Sequence, residues 1–112
     1  DSIYYHRDYG WTIIEFLKCE TVLPKDSHPN RYWFKNWRKF SAIWKLVKAL
    51  EGTFFYVNYS DDKNQTFVVS RVIEMEVGEN GRIVKEDRKN VTFPELKEWY
   101  KDEINSKPGK LW

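Results

Sequence analysis

A single cysteine, Cys19, leaves little thiol chemistry to consider in a chain of 112 residues. One thiol excludes an internal disulfide and any zinc site built from several cysteines. It suits a reducing compartment, so the expected location is cytoplasmic. No apolar run is long enough to cross a bilayer and no signal peptide is visible, so no membrane partner is expected. The net charge of +2 is too small to announce a nucleic-acid partner by itself. Local charge has to carry that argument. A phosphate-binding glycine loop and a nucleotide fingerprint are also missing.

What is present describes a globular chain: 41% hydrophobic and 32% charged residues, enough for one core in one domain over residues 1–112. The chain opens on Asp1 rather than Met, which leaves room for a missing N-terminal element. Aromatic residues make up 18%, six of them Trp. Most fall at core-compatible spacings, which favours core filling over exposed rings that stack on bases or sugars. The Asn-x-Ser/Thr triplets at Asn58, Asn64 and Asn90 carry little weight without a secretory signal.

Taken in order, Ser2 to Arg7 and Trp11 to Lys18 read as strands joined by a turn at Asp8-Tyr9-Gly10. The second is apolar on both faces, which predicts a strand covered on both sides. Glu15 within it needs a partner, because a buried acid is costly unless paired, hydrogen-bonded or liganding a cation. Leu23 to Pro29 is a loop. Arg31 to Leu50 is the long helix, with Trp33, Trp37, Phe40, Trp44 and Val47 on one face and Arg31, Lys35, Arg38 and Lys45 on the other.

Thr53 to Tyr59 predicts a central strand, and Asp61 to Asn64 a turn. Thr66 to Val77 ends in the alternation of an edge or half-exposed strand. The Asn80-Gly81 turn signal pairs Arg82 to Lys85 back onto it. Thr92-Phe93-Pro94-Glu95 matches a capping box, opening a final helix to about Asn105 with Leu96, Trp99, Tyr100 and Ile104 inward. Lys107 to Trp112 is a tail. The expected fold is α/β: a central mixed sheet with a long helix after an N-terminal hairpin and a C-terminal helix.

Three groups are candidates for chemistry. Antiparallel pairing across the hairpin sets Asp1 beside or one step from Glu15, and two such carboxylates suit Mg²⁺ or Mn²⁺. Lys18 would add a point charge near them. The stripe Arg31, Lys35, Arg38 and Lys45 suits contact with a phosphate backbone, though an ordinary solvated helix face is the stronger expectation. His6, His28 and Cys19 have no metal-ligand spacing and read as a buried thiol beside two surface histidines.

An aspartate, a short hairpin, Ile13-Ile14-Glu15-Phe16 with Lys18, then a helix and an apolar strand resemble the core of the PD-(D/E)xK nuclease superfamily over residues 1–59. That resemblance implies a restriction-endonuclease-like core in which Asp1 and Glu15 hold Mg²⁺ or Mn²⁺ and Lys18 assists the nucleophile. The family's lysine comes two residues after the acid, where this chain has Leu17. A β-bulge after Glu15 would bring Lys18 back to that face; otherwise Glu20 and Lys18 form a reversed pair or the site is inactive. The function expected first is a metal-dependent nuclease or nuclease-like domain acting on DNA. The alternatives are a non-catalytic nucleic-acid- or protein-binding module and a subunit of a homo-oligomer or larger assembly.

Overall fold

The computed structural model describes residues 2–7, 10–61, 66–105 and 111–112. Strands β1 (Ser2–His6), β2 (Gly10–Lys18), β3 (Thr53–Tyr59), β4 (Phe67–Glu76) and β5 (Arg82–Val91) form one sheet in sequence order. β2 and β3 run parallel, and every other neighbouring pair is antiparallel. Helix α1 (Trp33–Ala49) makes the crossover between the parallel strands, and α2 (Phe93–Ile104) follows β5. This is the α/β architecture expected from the sequence.

The alternation of side chains along β2 divides the interior into two layers. Ile13 belongs to the layer under α1 with Phe40, Val47, Phe54 and Val72, whereas Ile14 joins Phe55, Val57, Val69 and Trp99 under α2. Continuous apolar sequence in β2 and β3 follows from burial on both faces. α1 docks through Phe40, whose ring meets Trp33, Phe54 and Tyr56. α2 opens on the expected capping box, Thr92 and Glu95 bonding each other's backbone N–H.

Several details differ from the sequence expectation. β4 is an inner strand, because β5 covers its far edge over ten residues and not four. Arg82 to Asn90 hides this length, since its charges occupy both faces and leave no apolar alternation. Pro29–Tyr32 is a 3-10 turn that precedes α1. At the end of α2, Ile104 is exposed and Glu103 is buried instead. Glu103 faces His6, their Oε2 and Nε2 atoms 3.6 Å apart, so His6 is a core residue and not a surface one. Trp112 is no loose tail: its ring packs on Phe55 and Trp99 with Arg71 and Lys89 against it. The turn expected over Asp61 to Asn64 lies largely outside the described residues, as does Asn64. Asn58 is buried, which removes it as a glycosylation acceptor in the folded chain. Among the described residues, no helix is long and apolar enough to cross a membrane.

Candidate functional site

A lateral row of polar side chains crosses the sheet on the α1 side. Glu15 opposes Tyr56, Tyr56 opposes Ser70, and Ser70 opposes Arg88, so one residue from each of β2 to β5 faces the same way. Residues directly opposed on neighbouring strands share a face, and such a row is sheltered by whatever packs above it. Here α1 provides the cover. Glu15, Tyr56 and Ser70 are buried, while Arg88 and the nearby Glu86 are partly so.

At the β5 end the row closes into a hydrogen-bonded network. The Tyr56 hydroxyl donates to Glu86 Oε2 at 2.7 Å and accepts from Arg88 Nη1 at 2.7 Å. His28, from the linker before α1, sits 2.5 Å from Glu86 Oε1 through Nε2. Its Nδ1 accepts the Asn30 backbone N–H at 3.0 Å. That bond leaves Nε2 as the protonated nitrogen of the neutral ring, donating to the carboxylate. Both nitrogens of His28 are therefore engaged, and the ring works as a cap and a strut. Arg88 also donates to the Ser27 carbonyl at 2.9 Å, and Asn58 Nδ2 donates to the same oxygen at 3.0 Å. Asn30 bonds both backbone groups of Ile83. The network thus ties the Pro24–Tyr32 linker to the sheet and sets the start of α1.

Its electrostatics have a consequence for stability. Burial pushes the Glu86 carboxyl up, but hydrogen bonds from His28 and Tyr56 and the charge of Arg88 outweigh it and hold it below the ordinary 4.5. Burial, reinforced by the Glu86 charge, raises the Tyr56 hydroxyl well above its usual range. Because the folded carboxyl binds its proton less readily than the unfolded one, its contribution is complete above pH 4.5 and is lost as the pH falls below it. Glu86→Gln is expected to flatten the acid limb of stability against pH, measured by urea unfolding between about pH 5 and pH 3. An unchanged slope would mean that other carboxylates dominate acid unfolding.

The other end of the row is Glu15. Its side chain is only 5% exposed, and the ammonium of Lys39, from α1, contacts Oε1. A buried carboxylate demands such a partner. Lys39 sits on the flank of α1, at about 100° per residue between the aromatic face and the basic one, so helix periodicity alone does not single it out. Lys18 goes elsewhere. The register of β2 against β3 runs without a break from Thr12 to Lys18, so no bulge turns Lys18 toward Glu15. Its Nζ bonds Asp61 at 2.8 Å, and that hydrogen bond raises the ammonium's pKa. Leu17 holds the place two residues after Glu15 on the inner face, opposite Asn58. Asp1 lies outside the described residues.

The remaining candidates separate cleanly. Lys35, Arg38 and Lys45 are exposed along α1, as their spacing predicts, and Arg31 is exposed in the 3-10 turn before it, not on the helix. Cys19 is a buried free thiol. Among the described residues, no group of three or more His, Cys, Asp or Glu could hold a metal ion. A cleft of about 390 Å³ opens at the carboxyl ends of β2 and β3, where Cys19, Asn58, His28, Tyr32 and Lys35 line it. Sequence reasoning missed Lys39, Tyr56, Glu86 and Arg88, because each acquires its role from a partner distant in the chain. Comparisons with family models, with curated proteins and with solved structures return no match, so the site is read from its geometry.

Proposed function

We propose that the chain is a metal-dependent nuclease domain acting on DNA phosphodiesters. The observation that carries this reading is Glu15, a buried carboxylate on a strand paired in parallel across a helical crossover, with a lysine ammonium at its oxygen. Mg²⁺ and Mn²⁺ take oxygen donors, and Mg²⁺ keeps several waters, needing one or two carboxylates beside substrate phosphate. The donor chemistry of Glu15 fits an ion ligated so sparsely, and Asp1 is the second ligand that the resemblance implies. When bound, such an ion supplies Lewis acidity at the phosphodiester and a more acidic water. The chain's own part is to hold that carboxylate rigidly between Ile13 and Leu17 and to set the Lys39 charge beside it. The exposed face Arg31, Lys35, Arg38 and Lys45 suits the phosphate backbone. A free thiol at Cys19 accords with a cytoplasmic setting.

The test is cleavage of supercoiled plasmid with Mg²⁺ or Mn²⁺. Glu15→Gln is expected to lower the rate at least ~100-fold, with circular dichroism unchanged. A second reading, a non-catalytic nucleic-acid- or protein-binding module, is favoured by the Lys18–Asp61 pair and by Leu17 in the lysine's place. It leads if the wild type cuts nothing with either ion while charge reversal at Arg38 and Lys45 weakens salt-sensitive DNA binding. Self-association without DNA binding at low salt would instead favour a subunit of an assembly.

A further inference from the structure

We infer that the outer face of α1 binds single-stranded DNA, its cations meeting the phosphates while the Phe34 ring stacks on an unpaired base. The inference rests on the reading that the chain meets DNA, and it names the strand form that this face takes. It needs neither Glu15 nor a metal ion.

Charge is spread very unevenly along the chain. Arg31, Lys35, Arg38, Lys39, Lys45 and Lys48 all fall between positions 31 and 48, where no Asp or Glu occurs. The total is only +2, so the rest of the chain is net acidic. A basic segment gathered on one exposed helix is the electrostatic footprint of a phosphate-bearing partner. Lys39 is paired with Glu15. Among the described residues, none of the other five forms an ion pair with an acid. Three of them lie against aromatic rings of the same helix instead. Lys35 is 5.7 Å from the ring centre of Phe34, Arg38 5.1 Å from that of Trp37 and Lys48 5.7 Å from that of Trp44. A ring carries no net charge, so these cations stay available to phosphate.

The strand form follows from Phe34. Its side chain is 71% exposed, more than any other large apolar residue described. Its place among the cations gives that exposure weight. At about 100° per residue, Phe34, Arg38 and Lys45 fall within about 40° of one another, on the side turned away from the buried Phe40 and Val47. Tyr32, also exposed, immediately precedes the helix. Phosphate contacts alone need no ring. In a duplex the faces of the bases are covered by their neighbours in the stack, so Phe34 gains little there. An unpaired base offers its face, and stacking on an aromatic ring is tolerant of sequence. From Phe34 to Lys48 the helix spans about 20 Å, enough to follow a short stretch of one strand.

The test is fluorescence anisotropy at low salt, without divalent ions, of a labelled dT oligomer of about 12 nucleotides and of a duplex of the same length. The wild type is expected to bind the dT oligomer at least about tenfold more tightly than the duplex. Phe34→Ala should weaken dT binding about tenfold while leaving duplex binding and the dependence of affinity on salt unchanged. Arg38→Gln combined with Lys45→Gln should instead lower the slope of log affinity against log salt by about 1.4. Equal affinity for the two strand forms, with no effect of Phe34→Ala, overturns the inference and leaves the DNA reading standing. Failure to bind either form at low salt removes the DNA reading and this inference with it. Tighter binding of an RNA oligomer, of anionic lipid vesicles or of a second copy of this chain assigns the face to that partner and overturns the inference too.

Discussion

Phe40→Ala is expected to destabilise the fold by about 4 kcal/mol, against a total of roughly 5–15 kcal/mol for a domain of this kind. Phe40 is fully buried and its ring meets Trp33, Phe54 and Tyr56, two of them on the central strand β3. Truncation removes apolar contact and leaves a cavity that the flanking rings fill only in part. Its neighbour in sequence, Lys39, depends on the same docking to reach Glu15. Urea unfolding should show a lower midpoint with an unchanged slope. Phe34, on the same helix and 71% exposed, is the control, and Phe34→Ala should change stability by no more than about 0.5 kcal/mol. Equal losses from the two variants would mean that α1 packs differently.

The second large effect is expected at Arg88. Arg88→Met should cost about 3 kcal/mol. It withdraws the donor to the Tyr56 hydroxyl and one of the two donors to the Ser27 carbonyl, and it leaves Glu86 with less positive charge nearby. Arg88→Lys should recover only part of the loss, because an ammonium lacks the planar fork that reaches Tyr56 and the linker carbonyls together. Thermal unfolding would measure the loss, and hydrogen exchange would localise it to Pro24–Tyr32. A full rescue by lysine would show that charge alone, and not the geometry of the guanidinium, holds the linker.

These two positions illustrate how differently the chain yields its structure to inspection. Phe40 was legible, because Trp33, Trp37, Phe40, Trp44 and Val47 repeat at the period of a helix and a helix must bury such a face. The apolar runs of β2 and β3 announced strands covered on both sides, and Thr92 with Glu95 announced the cap of α2. Arg88 was not legible. It stands in a charged stretch where the inward residues Glu86 and Arg88 resemble the outward Asp87 and Lys89, and only their partners across the fold tell them apart.

The hairpin at the start of the chain shows the same division within one strand. Glu15 in an apolar run had to find a partner, a conclusion that follows from the energetics of burial alone. Which partner it finds depends on strand register and on where the crossover helix comes to rest. An unbroken register sends Lys18 to Asp61 and keeps Leu17 inward, and the docking of α1 brings Lys39 to the carboxylate. Local sequence therefore determined most of the elements, their main buried faces and the need for a partner at Glu15. The identity of the compensating residue, and with it the character of the site, was decided by tertiary packing. Side-chain pairing over long sequence separations depends on three-dimensional register, which no periodicity in the chain encodes.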